Sequence, residues 1–392
     1  MSPQAFALPE ERMRMNNVWL ASALWIGLAL IAAMISIRIA ISVALVEIMV
    51  GTIAGNLIGL EITPWVNFLA GFGAIMLTFL AGTEIDSGII RRKLGPSVGI
   101  GVASFAAPYV GVLLWARIVV GWSWPAAQIA GISLSTTSVA VVYAMMVESG
   151  FNKTELGKII LAACFITDLG TVLALGIVFA HFDLWLAVFG AVTAVALWLL
   201  PNFAPWFFNK VGRRVSEPET KFVSLVLLGL GGLSQIAGSE AVLPAYLVGM
   251  ALAPAFMTHS ELPHRMRIIA FSILSPFYFL KAGSLVSWST LTSAVGLIVV
   301  FLALKMATKF GGILPLTCLY AFDKRERMFT TLLMSTGLTF GTISALFGLT
   351  NKIIDQQQYT ILVAAVIGSA VLPTLIAQRW FMPVLNVEPP TD

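Results

Sequence analysis

The chain has 392 residues, of which 58% are hydrophobic and 11% charged, with a mean hydropathy of +0.93. Soluble domains carry about 25% charged residues, so this composition excludes an ordinary soluble enzyme or binding domain and indicates a polytopic membrane protein. The formal charge of +4 and pI near 9.1 do not indicate a nucleic-acid partner, because the basic residues gather in loops for a topological reason given below.

In chain order, residues 1–17 read as a polar tail without the basic n-region or small-residue cleavage site of a removable signal peptide. Apolar stretches long enough to cross about 30 Å of hydrocarbon follow at about 18–35, 41–60, 64–82, 96–120, 125–147, 155–180 and 184–208. The series continues at about 220–237, 241–258, 266–287, 292–320, 326–348 and 359–383, and residues 384–392 form a second tail. The reading is an all-α fold of about thirteen transmembrane helices. Sixteen Lys and Arg residues fall in the odd-numbered connections and at Arg379, against three (Arg12, Arg14 and Lys352) on the other side. This positive-inside bias places the N-terminus outside and the C-terminus in the cytoplasm. Cys164 and Cys318 lie inside apolar spans and read as small buried hydrophobes rather than a disulfide framework.

A few polar residues sit where polar residues are expensive. Glu47 lies near the inner end of span two, and Glu84 and Asp86 follow span three. These three either draw cations toward a cytoplasmic funnel or supply ordinary interfacial polarity and pair with Arg91–Lys93. Span five carries Ser133, Ser135, Thr136, Thr137 and Ser138 at its centre; span twelve carries Ser335, Thr336, Gly337, Thr339, Gly341 and Thr342. Two readings fit such clusters: close packing of small residues, or helices unwound at the midplane, whose freed carbonyls and half-helix ends meet an ion. Asp168 is central in span six, with no other charge within nine residues on either side. A carboxylate there costs about 2.5–3.5 kcal/mol on insertion scales. Arg117 can snorkel, and Lys281 reads as snorkelling or packing. Lys305 and Lys309 share one face at the centre of span eleven, where an acidic partner or an aqueous cavity is expected.

Spans five and twelve are seven apart, as are four and eleven, and six and thirteen. Seven is odd, so partners cross the membrane in opposite directions, the pattern of an inverted repeat. Asp168, the 135–137 hydroxyls, Lys305, Lys309 and Thr336–Gly337 all fall near the centres of their spans. One midplane site built from spans five, six, eleven and twelve is the economical reading.

Five segments in this order, VEIMVGTIAGNLIGL (46–60), FLAGTEIDSGIIRRKLG (79–95), SLSTTSVAVV (133–142), FITDLGT (165–171) and KFGG (309–312), carry a family resemblance. The chain resembles the monovalent cation:proton antiporter-2 family, which shares its fold with the NhaA and NapA sodium/proton antiporters. The resemblance implies two crossed broken helices, a transport core at about 96–180 and 292–383, and a dimerisation part at about 18–82 and 184–287. It implies a homodimer in the cell's inner (plasma) membrane that contributes to pH homeostasis. Asp168 would bind the cation or the proton, with Thr167 in the position before it. Lys309, or as second choice Lys305, would pair with the carboxylate or offset the broken-helix dipoles. Thr167 stands where two-aspartate members have a second acid, and Gly337–Leu338 stands where a Gly-Glu is often found.

Burial favours the protonated carboxyl, while a nearby ammonium or bound cation favours the ionised one, so H⁺ and Na⁺ can compete for Asp168. Thr136, Thr137, unwound carbonyls and water supply the hard oxygens Na⁺ prefers. No resident cofactor is required; the cations and protons are cargo, and the chain has no GxxxxGK[ST] motif for ATP. Na⁺/H⁺ exchange is the leading expectation, with K⁺/H⁺ exchange its nearest variant; a cation channel and a sodium-coupled symporter are further alternatives. A membrane enzyme is disfavoured, because His181, His259 and His264 lie at span ends and no nucleophile–base pair is present.

Overall fold

The computed structural model describes residues 17–39, 42–83, 94–148, 151, 154–179, 184–212, 214–237, 241–258 and 261–383. The first part is helical: α1 (Val18–Ile39), α2 (Val43–Ile58), α3 (Pro64–Thr83), α4 (Leu94–Ile118), α5a (Trp124–Ser135), α5b (Val139–Glu148), α6 (Glu155–Val178) and α7 (Leu184–Val211). The second continues with α8 (Pro218–Ile236), α9 (Val242–Thr258), α10 (Glu261–Ser284), α11 (Val295–Leu319), α12a (Lys324–Met334), α12b (Thr339–Thr350) and α13 (Gln356–Phe381). A π-type turn at Ala270–Leu274 interrupts α10, and another, Ala377–Phe381, ends α13. No strand occurs among the described residues.

Each predicted apolar stretch coincides with a helix or a broken pair. Nine of the described helices are long and apolar enough to cross a membrane; α2 and α9 are shorter, and the divided α5 and the more polar α8 fall outside both groups. Local chemistry starts several of these elements. Thr154 accepts from the Gly157 N–H at 3.0 Å to begin α6. Asp355 accepts from the Gln358 N–H at 2.7 Å while the Gln358 side chain accepts from the Asp355 N–H at 3.0 Å, a reciprocal cap that begins α13.

Packing follows the seven-helix offset. α2 lies against α10, and α3 against α9, which are the same pairing when two is mapped to nine and three to ten. α4 packs on α5a and α6, while α11 packs on α12a and α13. In register, α4 and α11 start 201 residues apart, α5a and α12a 200, and α6 and α13 201.

Both equivalent seams are glycine contacts. A Cβ on Gly51 would strike the Leu280 backbone, and one on Gly283 the Ile48 backbone. In the other seam, Gly82 and Gly249 abut the backbones of Tyr246 and Phe79. Lipid tails give little hydrophobic drive for helix association, so such close backbone approach supplies the van der Waals contact that holds membrane helices together.

Two sets of helices result: α1–α3 with α7–α10, and α4–α6 with α11–α13. They meet where α6 touches α9 and where a short helix, Trp288–Ser293, touches α13. Tyr246 of α9 donates from its hydroxyl to the Phe165 carbonyl of α6 at 3.0 Å, and Tyr359 of α13 donates to the Ala282 carbonyl of α10 at 2.6 Å.

Candidate functional site

The two helical breaks, 136–138 and 336–338, meet each other. The Ser138 N–H donates to the Thr336 carbonyl at 3.1 Å, and Thr137 Oγ1 donates to the Met334 carbonyl at 2.8 Å. Of the two readings of the hydroxyl clusters, the unwound one is therefore found. Its physical basis is visible in the side chains. Ending a helix inside the protein strands carbonyls that water cannot reach, and here Ser and Thr hydroxyls satisfy them. Ser135 donates to Ile132 O at 2.8 Å, Thr136 to Ser133 O at 3.1 Å, Thr336 to Leu333 O at 2.8 Å and Ser335 to Thr331 O at 2.7 Å. The C-terminal ends of α5a and α12a and the N-terminal ends of α5b and α12b converge, so partial charges of both signs face one small volume. Thr339, which opens α12b, is half-buried, whereas Ser335, Thr336 and Gly337 are buried.

Asp168 is 1% exposed, and its Oδ1 has no hydrogen-bond partner. One turn earlier, Cys164 Sγ lies 3.6 Å from Met334 Sδ at the end of α12a, which sets this face of α6 against the crossing. Thr167 points elsewhere: its hydroxyl lies 3.1 Å from Gly101 O of α4 and 3.0 Å from Ala163 O. It ties α6 to α4, with its proton committed to backbone carbonyls.

The two lysines, for which an acidic partner or an aqueous cavity is expected, meet hydroxyls. Lys309 Nζ donates to Ser104 Oγ at 2.7 Å and to Thr137 Oγ1 at 3.0 Å, and those two oxygens are 3.3 Å apart. Lys305 Nζ donates to Ser369 Oγ at 2.9 Å. Both lysines are wholly buried, and among the described residues neither forms an ion pair with Asp168. Of the two roles the resemblance implies for Lys309, pairing with Asp168 or offsetting the broken-helix dipoles, the direct pair is open here, because Nζ is held by Ser104 and Thr137. Ser104 and Ser369 were missed by sequence reading: a single serine in an apolar span is ordinary packing chemistry. Their signal was position, since both lie at mid-span and each is one repeat away from a charged residue.

Other predicted residues separate from this cluster. Glu47 is only 2% exposed and its Oε2 is unpartnered, so it is a buried carboxylate rather than one lining an open mouth. Glu84 and Asp86 lie outside the described residues. Lys281 lines a cavity of about 490 Å³ between the two helix sets, together with Asn67, Gln235, Val242, Ile343 and Asn351. Arg117 donates to the Trp122 carbonyl at 3.0 Å and so closes the turn after α4.

What this geometry offers is a buried, oxygen-rich cluster that holds a carboxylate unpartnered at Oδ1 and a lysine bound only to hydroxyls. Leaving a buried acceptor unpaired costs about 1–3 kcal/mol, and more when it is charged. A proton or a small cation on Asp168 removes that cost.

Comparison with known proteins identifies the family. The family model described as "Sodium/hydrogen exchanger, transmembrane" matches residues 26–382. A protein of Methanocaldococcus jannaschii described as "Probable Na(+)/H(+) antiporter 3" is 25% identical over 352 residues, covering 85% of this chain and 90% of its own. "Cation/H(+) antiporter 18" of Arabidopsis thaliana is 24% identical over 334 residues, which are 80% of this chain but only 41% of that longer protein. The solved structure of the sodium proton antiporter MjNhaP1 from Methanocaldococcus jannaschii at pH 8 superposes with a TM-score of 0.64 at 13% identity, over 91% of this chain and 94% of that one. This is a likeness of fold. With the family model spanning nearly all of its length, the chain belongs to the transmembrane sodium/hydrogen exchanger family.

Proposed function

We propose that the protein exchanges Na⁺ for H⁺ at Asp168 by alternating access. The observation that carries this reading is the buried Asp168 carboxylate, unpaired at Oδ1, packed against the crossing of two broken helices. A proton and a sodium ion are alternative ways of removing one cost, so binding of either opposes the other. In the ion-bound state Asp168, Thr137, Ser104 and unwound carbonyls such as that of Met334 supply oxygens. Lys309 is released from Ser104 and Thr137 as the cation takes them. When the cation leaves, the ammonium returns and keeps the pocket from standing empty. Thr136 and Ser135 hold the first break, and Ser335, Thr336 and Gly337 the second.

The positive-inside bias supports an external N-terminus and a cytoplasmic C-terminus, and the cell's plasma membrane is the proposed location. In that orientation the cavity lined by Lys281 faces outward. Tyr246 and Phe340, whose ring centroids are 6.2 Å apart, form its gate toward Asp168, because each lies one turn deeper than the cavity-lining Val242 and Ile343. The set α4–α6 with α11–α13 is the moving core, and the other set is the scaffold through which two copies pair. No resident cofactor is proposed.

Proteoliposomes with Na⁺, K⁺ or Li⁺ gradients, with and without an imposed potential, test this directly. Asp168→Asn should abolish cation-dependent proton movement while leaving a monodisperse, folded protein. Unimpaired exchange in that variant would overturn the site, and K⁺-driven movement exceeding Na⁺-driven movement would overturn the choice of ion.

A further inference from the structure

Applied residue by residue, the repeat offset pairs Ser104 with Lys305, Thr137 with Gly337, and Asp168 with Ser369. The helices that carry each triple pack together. In the first pocket Ser104 and Thr137 lie 3.3 Å apart and Lys309 donates to both, with Asp168 on the adjoining α6. In the second, Lys305 Nζ donates to Ser369 Oγ at 2.9 Å, and Ser369 Oγ lies 3.4 Å from the Gly337 carbonyl. The ammonium fills the space beside the break: a Cβ on Gly337 would run into Lys305 Nζ and would lie 2.9 Å from Thr136 Oγ1. The chemistry of the two pockets is complementary. Where the first has a carboxylate the second has a hydroxyl, and where the first has a hydroxyl the second has an ammonium. The first pocket has a carboxylate whose Oδ1 is unpartnered although Lys309 is near; the second has no carboxylate and holds Lys305 on a hydroxyl.

We infer that Lys305 is a resident cation, occupying in the second repeat the place that the transported ion takes in the first. It is a positioning residue. Its ammonium holds the second break in shape through Ser369 and closes that pocket to sodium. The protein therefore exchanges through one cation pocket rather than two. This rests on the reading of Asp168 as the exchangeable site.

The test removes the resident charge and asks whether a free cation replaces it. The full-length Lys305→Ala, Asp168→Asn protein is purified in detergent and melted in choline, sodium, lithium and propylammonium chlorides. Its melting temperature should rise with millimolar propylammonium or sodium, whereas Asp168→Asn alone stays flat; a flat response in the double variant overturns the proposal. In proteoliposomes Lys305→Ala alone should lose exchange about tenfold or more, as expected for a lost charge-assisted hydrogen bond. Propylammonium should recover part of it, and wild-type exchange without amine overturns the proposal. Where Lys305→Ala is recovered only as aggregate, Ser369→Asp decides. With a resident lysine beside it the new carboxylate is already neutralised, so radioactive sodium binding stays at one ion per chain; two ions per chain overturn the proposal. Failure of the Asp168 reading shows separately, as exchange persisting in Asp168→Asn.

Discussion

Thr137 is the node that joins the two broken helices to the lysine, and replacing it by valine removes the hydroxyl while keeping the branched shape. Two contacts disappear. The Met334 carbonyl loses a donor at 2.8 Å, and Lys309 loses one of its two acceptors, at 3.0 Å. An orphaned buried acceptor costs about 1–3 kcal/mol and a hydrogen bond to a charged group contributes about 1.5–3 kcal/mol, together about 2.5–6 kcal/mol. Unfolding entropy of about 2.1 cal/mol/K per residue over 392 residues is roughly 0.8 kcal/mol/K, so the melting temperature should fall by about 3–7 °C. Helices that persist in detergent make the true entropy smaller and the shift larger. Fluorescence-detected melting of Thr137→Val and Thr137→Ser measures this, with exchange assayed in parallel. Thr137→Ser, which keeps the oxygen, should stay close to wild type in both assays, and Thr137→Val should also weaken the apparent sodium affinity. A Thr137→Val protein that melts within about 1 °C of wild type and exchanges normally would refute the role given to the crossing.

Two further outcomes follow from packing and charge elsewhere. Gly283→Ala places a methyl group against the Ile48 backbone; overpacking of this kind costs about 1–3 kcal/mol, so melting should drop without a change in ion selectivity. Arg265→Ala breaks the pairs with Glu217, at 2.9 Å, and with Glu261, at 2.6 Å, but all three side chains are about a third exposed or more, and exposed pairs contribute little. Its melting temperature should stay within about 1 °C of wild type, and a larger drop would show that these pairs are structural.

What could be read from the residues alone was whatever carries a high cost in an apolar setting. Asp168, Lys305, Lys309 and the hydroxyl clusters stood out because charge and polarity at mid-span are rare, and the offset of seven placed them at one depth. Partner choice could not be read. Lysine side chains are long enough to reach several groups, and only the packed structure shows Lys309 on Ser104 and Thr137 instead of Asp168. The broken helices were ambiguous for a related reason: a Ser/Thr/Gly run serves close packing as well as unwinding, and the choice depends on whether another chain segment accepts the freed carbonyls. Thr167 shows the opposite failure. It neighbours the key carboxylate in sequence, yet helical geometry turns it about 100° away, toward Gly101. Glu47 was placed by its distance from a span end, and that distance says nothing about which side of α2 faces protein.

The offset of 200 or 201 residues also gives the molecule an internal control. A substitution in α4, α5a or α6 has a twin in α11, α12a or α13 at a similar depth in the opposite half. Any effect that comes merely from polarity or bulk at that depth should recur when the twin is changed. An effect confined to one of the two belongs to the chemistry of exchange, so a paired scan of both halves separates folding from function without a second protein for reference.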